Sequence, residues 1–157
     1  MIQLPDIIIS GGQTGVDRAA LDVALKHKIL CDGWCPRDRW AEDGPIPKKY
    51  PLKETRSVNT EERTKMNVKN SDGTLILIAG KEMDTGTIFT RKVCVKYNKP
   101  NLVIDLNIID ISTMTDFSSW VRDYNIIILN IAGPRESFSP GIYTKTYEFL
   151  STLVEEG

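Results

Sequence analysis

The feature that most constrains this 157-residue chain is a recurring order of segments: a short, nearly unbroken apolar run, a glycine-bearing turn, then a stretch with helical spacing. Ile7-Ile8-Ile9 runs into Ser10-Gly11-Gly12, Thr74 to Ile78 ends at Gly80, and Ile126 to Ile131 ends at Ala132-Gly133-Pro134. Leu30 to Trp34 and Leu102 to Leu106 are further strand candidates. Between them, Asp17 to His27 carries Ala20, Leu21, Ala24 and Leu25 on one helical face, with Asp17 at the positive end of the dipole. Thr60 to Val68 has helix-forming residues. Thr85-Gly86-Thr87 opens a helix over Ile88 to Tyr97, which Pro100 stops. Asp116 to Tyr124 groups Phe117, Trp120 and Val121, and Ile142 to Leu153 closes the chain after Pro140-Gly141. Strands apolar along their whole length are buried on both faces, so the alternation predicts a doubly wound parallel α/β sheet with helices on either side. The length and the lack of repeats, linkers or low-complexity stretches point to one domain over 1–157.

Bulk charge narrows the partners. The formal net charge is -1, so no global positive field draws the chain to nucleic acid or to an anionic membrane, and any anion site has to be local. Three cysteines, Cys31, Cys35 and Cys94, and a start without a basic-then-apolar leader fit a reducing cytoplasm. No apolar run approaches the roughly 18 residues that crossing a bilayer takes. Arg37 to Pro51 is polar and broken by Gly44, Pro45, Pro47 and Pro51; a loop of that length, ordered or mobile, is a candidate lid or ligand wall.

In open parallel sheets, ligands sit beyond the carboxyl ends of the strands. Three glycine-bearing loops fall there: Gly11-Gly12-Gln13-Thr14-Gly15, Thr85-Gly86-Thr87 and Gly133-Pro134-Arg135. The first two lead into helices, whose unpaired N–H groups and positive ends favour phosphate, although the same glycines also serve plain tight turns. The first loop has glycines at its first, second and fifth positions, which is not the dinucleotide pattern, and it lacks the Gly-Lys-Ser/Thr ending of a P-loop. Arg18, Arg37, Arg39, Arg63 and Arg135 lie in or just after these loops and helix starts, where guanidinium suits bidentate phosphate contact; the alternative is solvated surface charge. Asn67, Asn70, Ser71 and Asp72 precede the central strand and suit a heterocycle or ribose, or only a turn. His27, Cys31 and Cys35 recur every four residues but lack a fourth ligand, so small buried thiols explain them better than zinc. No nucleophile, histidine and acid triad assembles around His27, the single histidine.

Ser10 to Asp22, then Gly33-Trp34-Cys35-Pro36, Ala41 to Pro47, Tyr50-Pro51-Leu52, Arg63-Thr64, Asn67-Val68, Ser71 to Thr74 and Ala132 to Ser137 resemble the putative molybdenum carrier family over nearly the whole chain. The resemblance implies a Rossmann-like fold related to the lysine-decarboxylase-like, cytokinin-activating phosphoribohydrolases. It also implies a homo-oligomer that binds molybdenum cofactor (molybdopterin) or another nucleotide-like, phosphate-bearing ligand. The chain departs from the family pattern at Met66, Asn70 and the glycine-poor Asp84 to Thr87. The related hydrolases carry a glutamate shortly after a similar glycine-threonine turn. Here Gly86-Thr87 is followed by Ile88-Phe89-Thr90-Arg91, with no carboxylate for general acid/base work. The sequence therefore favours a binding or carrier protein with no catalytic residue, the alternative being a nucleotide N-glycosidic-bond hydrolase using Asp17, Asp43, Asp72 or Asp84.

Overall fold

The computed structural model describes residues 1–157. The central sheet is built from β1 (Ile7–Ile9), β2 (Leu30–Asp32), β5 (Gly73–Ile78), β6 (Asn101–Asp105) and β7 (Ile128–Ala132) in the order β2-β1-β7-β5-β6. Every pairing in it is parallel. The expected Rossmann-like, doubly wound α/β architecture is the observed one. The first crossover leaves β1 toward β2 while the later one leaves β5 toward β6, and β7 returns between them. The carboxyl ends of β1, β7 and β5 are thereby neighbours at the point where the winding reverses, which is where such sheets open a crevice.

Helices cover both faces. Leu75 and Leu77 of β5 pack with Val16, Ala20, Val23 and Ala24 of α1 (Val16–Lys26), Phe117 and Val121 of α4 (Ile111–Asp123), and Phe149, Leu150 and Leu153 of α5 (Ile142–Glu156) in the largest apolar cluster. On the other face α2 (Thr60–Lys69) and α3 (Thr85–Lys96) meet around Val68, Val93 and Cys94. All six residues of β5 are buried, as a central strand covered on both sides requires.

Among the boundaries that differ from the sequence reading, such as the start of β7 at Ile128 in place of Ile126, two have a clear physical cause. Helix α4 begins at Ile111, five residues before the apolar grouping suggests, because Asp110 and Thr113 form a reciprocal capping box that closes its first turn. The expected strand Leu30 to Trp34 breaks at Gly33 into β2 and β3 (Trp34–Cys35), and β3 pairs in parallel with β4 (Lys53–Glu54) outside the main sheet. The Arg37–Pro51 segment is a packed element. Ala41, Ile46, Tyr50 and Leu52 form a small core of their own with Leu21 and Cys35. Asp38 and Arg39 there adopt left-handed backbone, φ 63° and 53°, which costs roughly 1–2 kcal/mol each for residues with a Cβ. The Arg39 guanidinium offsets that cost by donating to the carbonyls of Ile46, Pro47, Tyr50 and Leu52 at 2.8–3.1 Å.

Candidate functional site

Beyond the carboxyl ends of β1, β5 and β7 lies a polar cavity of about 290 Å³. The loop after β1 supplies Gln13, the first turn of α1 Asp17, the end of β7 and its loop Ala132, Gly133 and Arg135, the packed segment Trp40, and the caps and first two turns of α2 and α3 the rest. Both helix starts already carry side-chain caps. Asn59 accepts from the N–H of Glu61 at 2.9 Å, and Asp84 accepts from the N–H of Thr87 at 2.9 Å. The positive ends of two helices therefore converge on one space.

A buried ion pair crosses that space. Asp17 Oδ2 stands 3.3 Å from Arg63 Nη1 and also accepts from the N–H of Gln13 at 3.2 Å. Burial pushes the Asp17 carboxyl up to about 6; the Arg63 guanidinium and the Gln13 N–H pull against that shift, and Asp84 adds to it. Arg63 lies so close over Gly11 that a Cβ there would fall 2.1 Å from Nη1, so a side chain at this position would push the guanidinium aside. Two buried polar atoms of the lining have no partner in the protein: Arg63 Nε and the hydroxyl of Thr87, a residue 2% exposed. Buried donors of this kind ordinarily find an acceptor, so an unfilled pair marks a place for a ligand atom or water.

The rim is held by Glu42. Its carboxylate accepts from the Thr14 hydroxyl, from Ser137 N at 3.1 Å and Oγ at 2.6 Å, and lies 3.4 Å from Arg135 Nε, so three loops are tied at one point. The hydrogen bonds from Ser137 and Thr14 outweigh its partial burial and hold it below the usual carboxylate range.

Of the residues singled out from sequence, Gln13, Thr85, Gly86, Thr87, Gly133 and Arg135 line the cavity. Gly11, Gly12, Thr14 and Gly15 form its supporting turn: Gly12 lies under Leu52 and Ile46, Gly15 under Pro134 and Glu136, and Thr14 bonds Glu42. The remaining five do not line the cavity. Arg18 is spent on Asp43 (3.0 and 3.1 Å) and the Gly12 carbonyl, binding α1 to the packed segment. Arg39 is spent on the four carbonyls described above. Arg37 is exposed and 3.9 Å from Asp38. Asn67 bridges the N–H and carbonyl of Trp34 at 2.8 and 3.0 Å, joining α2 to β3. Asp72 accepts from the N–H groups of Ile127 and Ile128, which puts it at the amino end of the sheet, opposite the cavity. Asp17, Arg63 and Asp84 of the lining carried sequence signals, as a helix-start acid, a helix arginine and an acid before a glycine turn. Thr60 carried one too, as a helix start, whereas Trp40, Glu61 and Phe89 carried none that separates them from surface residues. No three His, Cys, Asp or Glu side chains come together as a metal site.

This chain belongs to the circularly permutated YpsA SLOG family. The family model matches residues 8–154. A crystal structure of a putative molybdenum carrier protein from Syntrophus aciditrophicus SB is similar at 43% sequence identity. The match covers 98% of each chain with a TM-score of 0.93. No curated protein matches the chain in sequence. For this family member the cavity lies inside the matched span, and Gly11 to Gly15, Asp84 to Thr87 and Gly133 to Ser137 all fall within residues 8–154. No helix is long and apolar enough to cross a membrane.

Proposed function

We propose that this protein binds and carries a phosphate-bearing small molecule in the cavity at the carboxyl ends of β1, β5 and β7, the ligand being molybdenum cofactor or a nucleotide-like molecule. One observation carries the reading: Arg63 Nε and the Thr87 hydroxyl are buried donors without protein partners, and both belong to residues lining a cavity on which two helix starts converge. Thr85 and Gly86, ahead of the capped N–H of Thr87, supply further backbone donors. Trp40 and Phe89 give apolar ring surface for a heterocycle. The similar protein from Syntrophus aciditrophicus SB is described as a molybdenum carrier, which favours a pterin-bound metal as cargo. The lining fits the phosphate and ring of such a cargo. It holds no cysteine or histidine, so the metal would keep the ligands its pterin provides. Mass spectrometry of small molecules released from the purified protein, with metal analysis of the same sample, tests the reading. A phosphorylated pterin with molybdenum, or a nucleotide, is the expected result; release of no phosphorylated molecule, together with no binding of added nucleotides, overturns it.

A second reading, hydrolysis of a nucleotide N-glycosidic bond, has one observation in its favour: Asp17 lines the cavity and burial raises its carboxyl to about 6. Against it, Asp17 is engaged by Arg63 and Gln13, and Thr90, placed after the glycine-threonine turn, spends its hydroxyl on the Gly86 carbonyl at 3.0 Å. Holding the ground state does not lower a barrier. Base release from nucleoside monophosphates by the wild type, abolished in Asp17→Asn with folding intact, would establish hydrolysis in place of carriage.

A further inference from the structure

We propose that filling the cavity is coupled to proton uptake: the ligand's anionic group takes over the Arg63 guanidinium, and Asp17 stays beside it as a neutral carboxyl. The inference rests on the reading of the cavity as an anion site and adds how that site is regulated.

The charge pattern favours such an exchange. Three carboxyl groups, Asp17, Glu61 and Asp84, and two guanidinium groups, Arg63 and Arg135, line the cavity, so with all of them ionised its lining is net negative. Both guanidinium groups already have an acid beside them: Arg63 is paired with Asp17 through Nη1, its Nε alone without a partner, and Arg135 lies beside Glu42. An entering phosphate would meet the Asp17 carboxylate across Arg63, and two anions competing for one buried cation cannot both remain charged without loss.

Asp17 is the acid able to yield. Its side chain is 4% exposed, Arg63 faces it from α2, Arg18 follows it on α1, Asp84 faces it from the turn before α3, and one N–H, that of Gln13, donates to it. Arg18 is held by Asp43, so it gives Asp17 little support when Arg63 turns to the ligand. Asp84 repels the ionised form and is itself fixed as the cap of α3. The proton comes from solvent to an Asp17 carboxyl oxygen, and no bond to the ligand forms or breaks. Burial already brings Asp17 to the edge of this change, with its carboxyl near 6.

Linkage makes the coupling measurable in both directions. Calorimetric titration with adenosine 5′-monophosphate at pH 7.5, in two buffers of different ionisation enthalpy, counts protons taken up per ligand bound. Any proton taken by the phosphate itself appears equally in Asp17→Asn, so the difference between the proteins belongs to Asp17. The wild type is expected to take up more than half a proton beyond Asp17→Asn. Over pH 6.5 to 7.5 its Kd should rise about four- to eightfold relative to that of the variant, the span set by a free carboxyl near 6 that gains more than half a proton on binding. Equal uptake and parallel pH profiles would overturn the coupling and leave the anion site standing. Failure of the wild type to bind either the nucleotide or inorganic phosphate at pH 6 and at pH 7.5 would overturn the site and the coupling with it. Should Asp17→Asn not fold, carboxyl NMR of the wild type decides: the Asp17 midpoint moves up on adding the nucleotide, and an unmoved midpoint refutes the proposal.

Discussion

The two glycine turns that flank the cavity look alike in sequence and serve opposite ends. At Gly11 to Gly15 the space above the backbone is filled by the protein itself: Arg63 over Gly11, Ile46 and Leu52 over Gly12, and the Pro134 carbonyl 2.5 Å from where a Gly15 Cβ would stand. Its polar groups are also spoken for, Thr14 by Glu42, and Gln13 Oε1 by the N–H groups of Thr14 and Glu42. At Asp84 to Thr87 nothing lies closer than 4.0 Å to a Gly86 Cβ, and the Thr87 hydroxyl has no partner. A glycine turn reports that something approaches the backbone. Only the fold tells whether that is a ligand or another part of the chain.

Substitution at the two turns should separate them most sharply. Gly15→Ala places a Cβ at φ 79° against the Pro134 carbonyl and should cost at least about 3 kcal/mol in chemical denaturation, combining left-handed strain with overlap. Gly86→Ala should leave stability within about 1 kcal/mol of wild type, since the position is open and helical. Similar losses at both would show that the second turn is packed as tightly as the first.

The two arginines of the packed segment sharpen the same contrast between protein-filled and free groups. Arg39→Ala strands four carbonyls and should cost about 3 kcal/mol, read as a lower denaturation midpoint. Arg37→Ala, exposed and next to Asp38, should stay within about 0.5 kcal/mol.

Asp17 links the filled turn to the open cavity, and its contribution depends on pH. Its folded pKa is raised, so the stability it confers is fully present below the unfolded value near 4 and is lost as pH rises through about 6. Asp17→Asn should therefore match wild type at pH 4 and exceed it by about 2–3 kcal/mol at pH 8, measured as the difference in denaturation free energy. A variant less stable than wild type at pH 8 would mean that the pair with Arg63 outweighs burial.

The cap of the open turn should show a modest effect. Asp84→Ala removes the acceptor of the Thr87 N–H and should cost about 1 kcal/mol. The same change removes a carboxylate facing Asp17, so the Asp17 titration should move down, observable in its carboxyl NMR midpoint.

Much of the fold was legible because its signals are local. Continuous apolar runs such as Thr74 to Ile78 specify strands buried on both faces, and turn residues punctuate them. The start of α4 was missed because its signal is the Asp110 and Thr113 pair, which lies outside the apolar grouping around Phe117. The candidate site was legible as three loops at one sheet edge. Its individual side chains were less so: an arginine on carbonyls, Arg39, and one beside a cavity, Arg63, have the same chemistry in sequence and differ in what long-range packing puts opposite them.

By itself the sequence determined the parallel α/β architecture, the loops that meet at its carboxyl edge and the residue types available there, since periodicity, turn chemistry and helix starts act over a few neighbouring positions. Tertiary structure alone decided the strand order, the packing of Arg37 to Pro51 into a wall carrying Trp40, and the partners of each charge. Asp17 and Arg63 stand 46 positions apart, and Glu42 and Ser137 stand 95 apart. Pairings at such separations depend on where whole elements dock, and no local pattern encodes them.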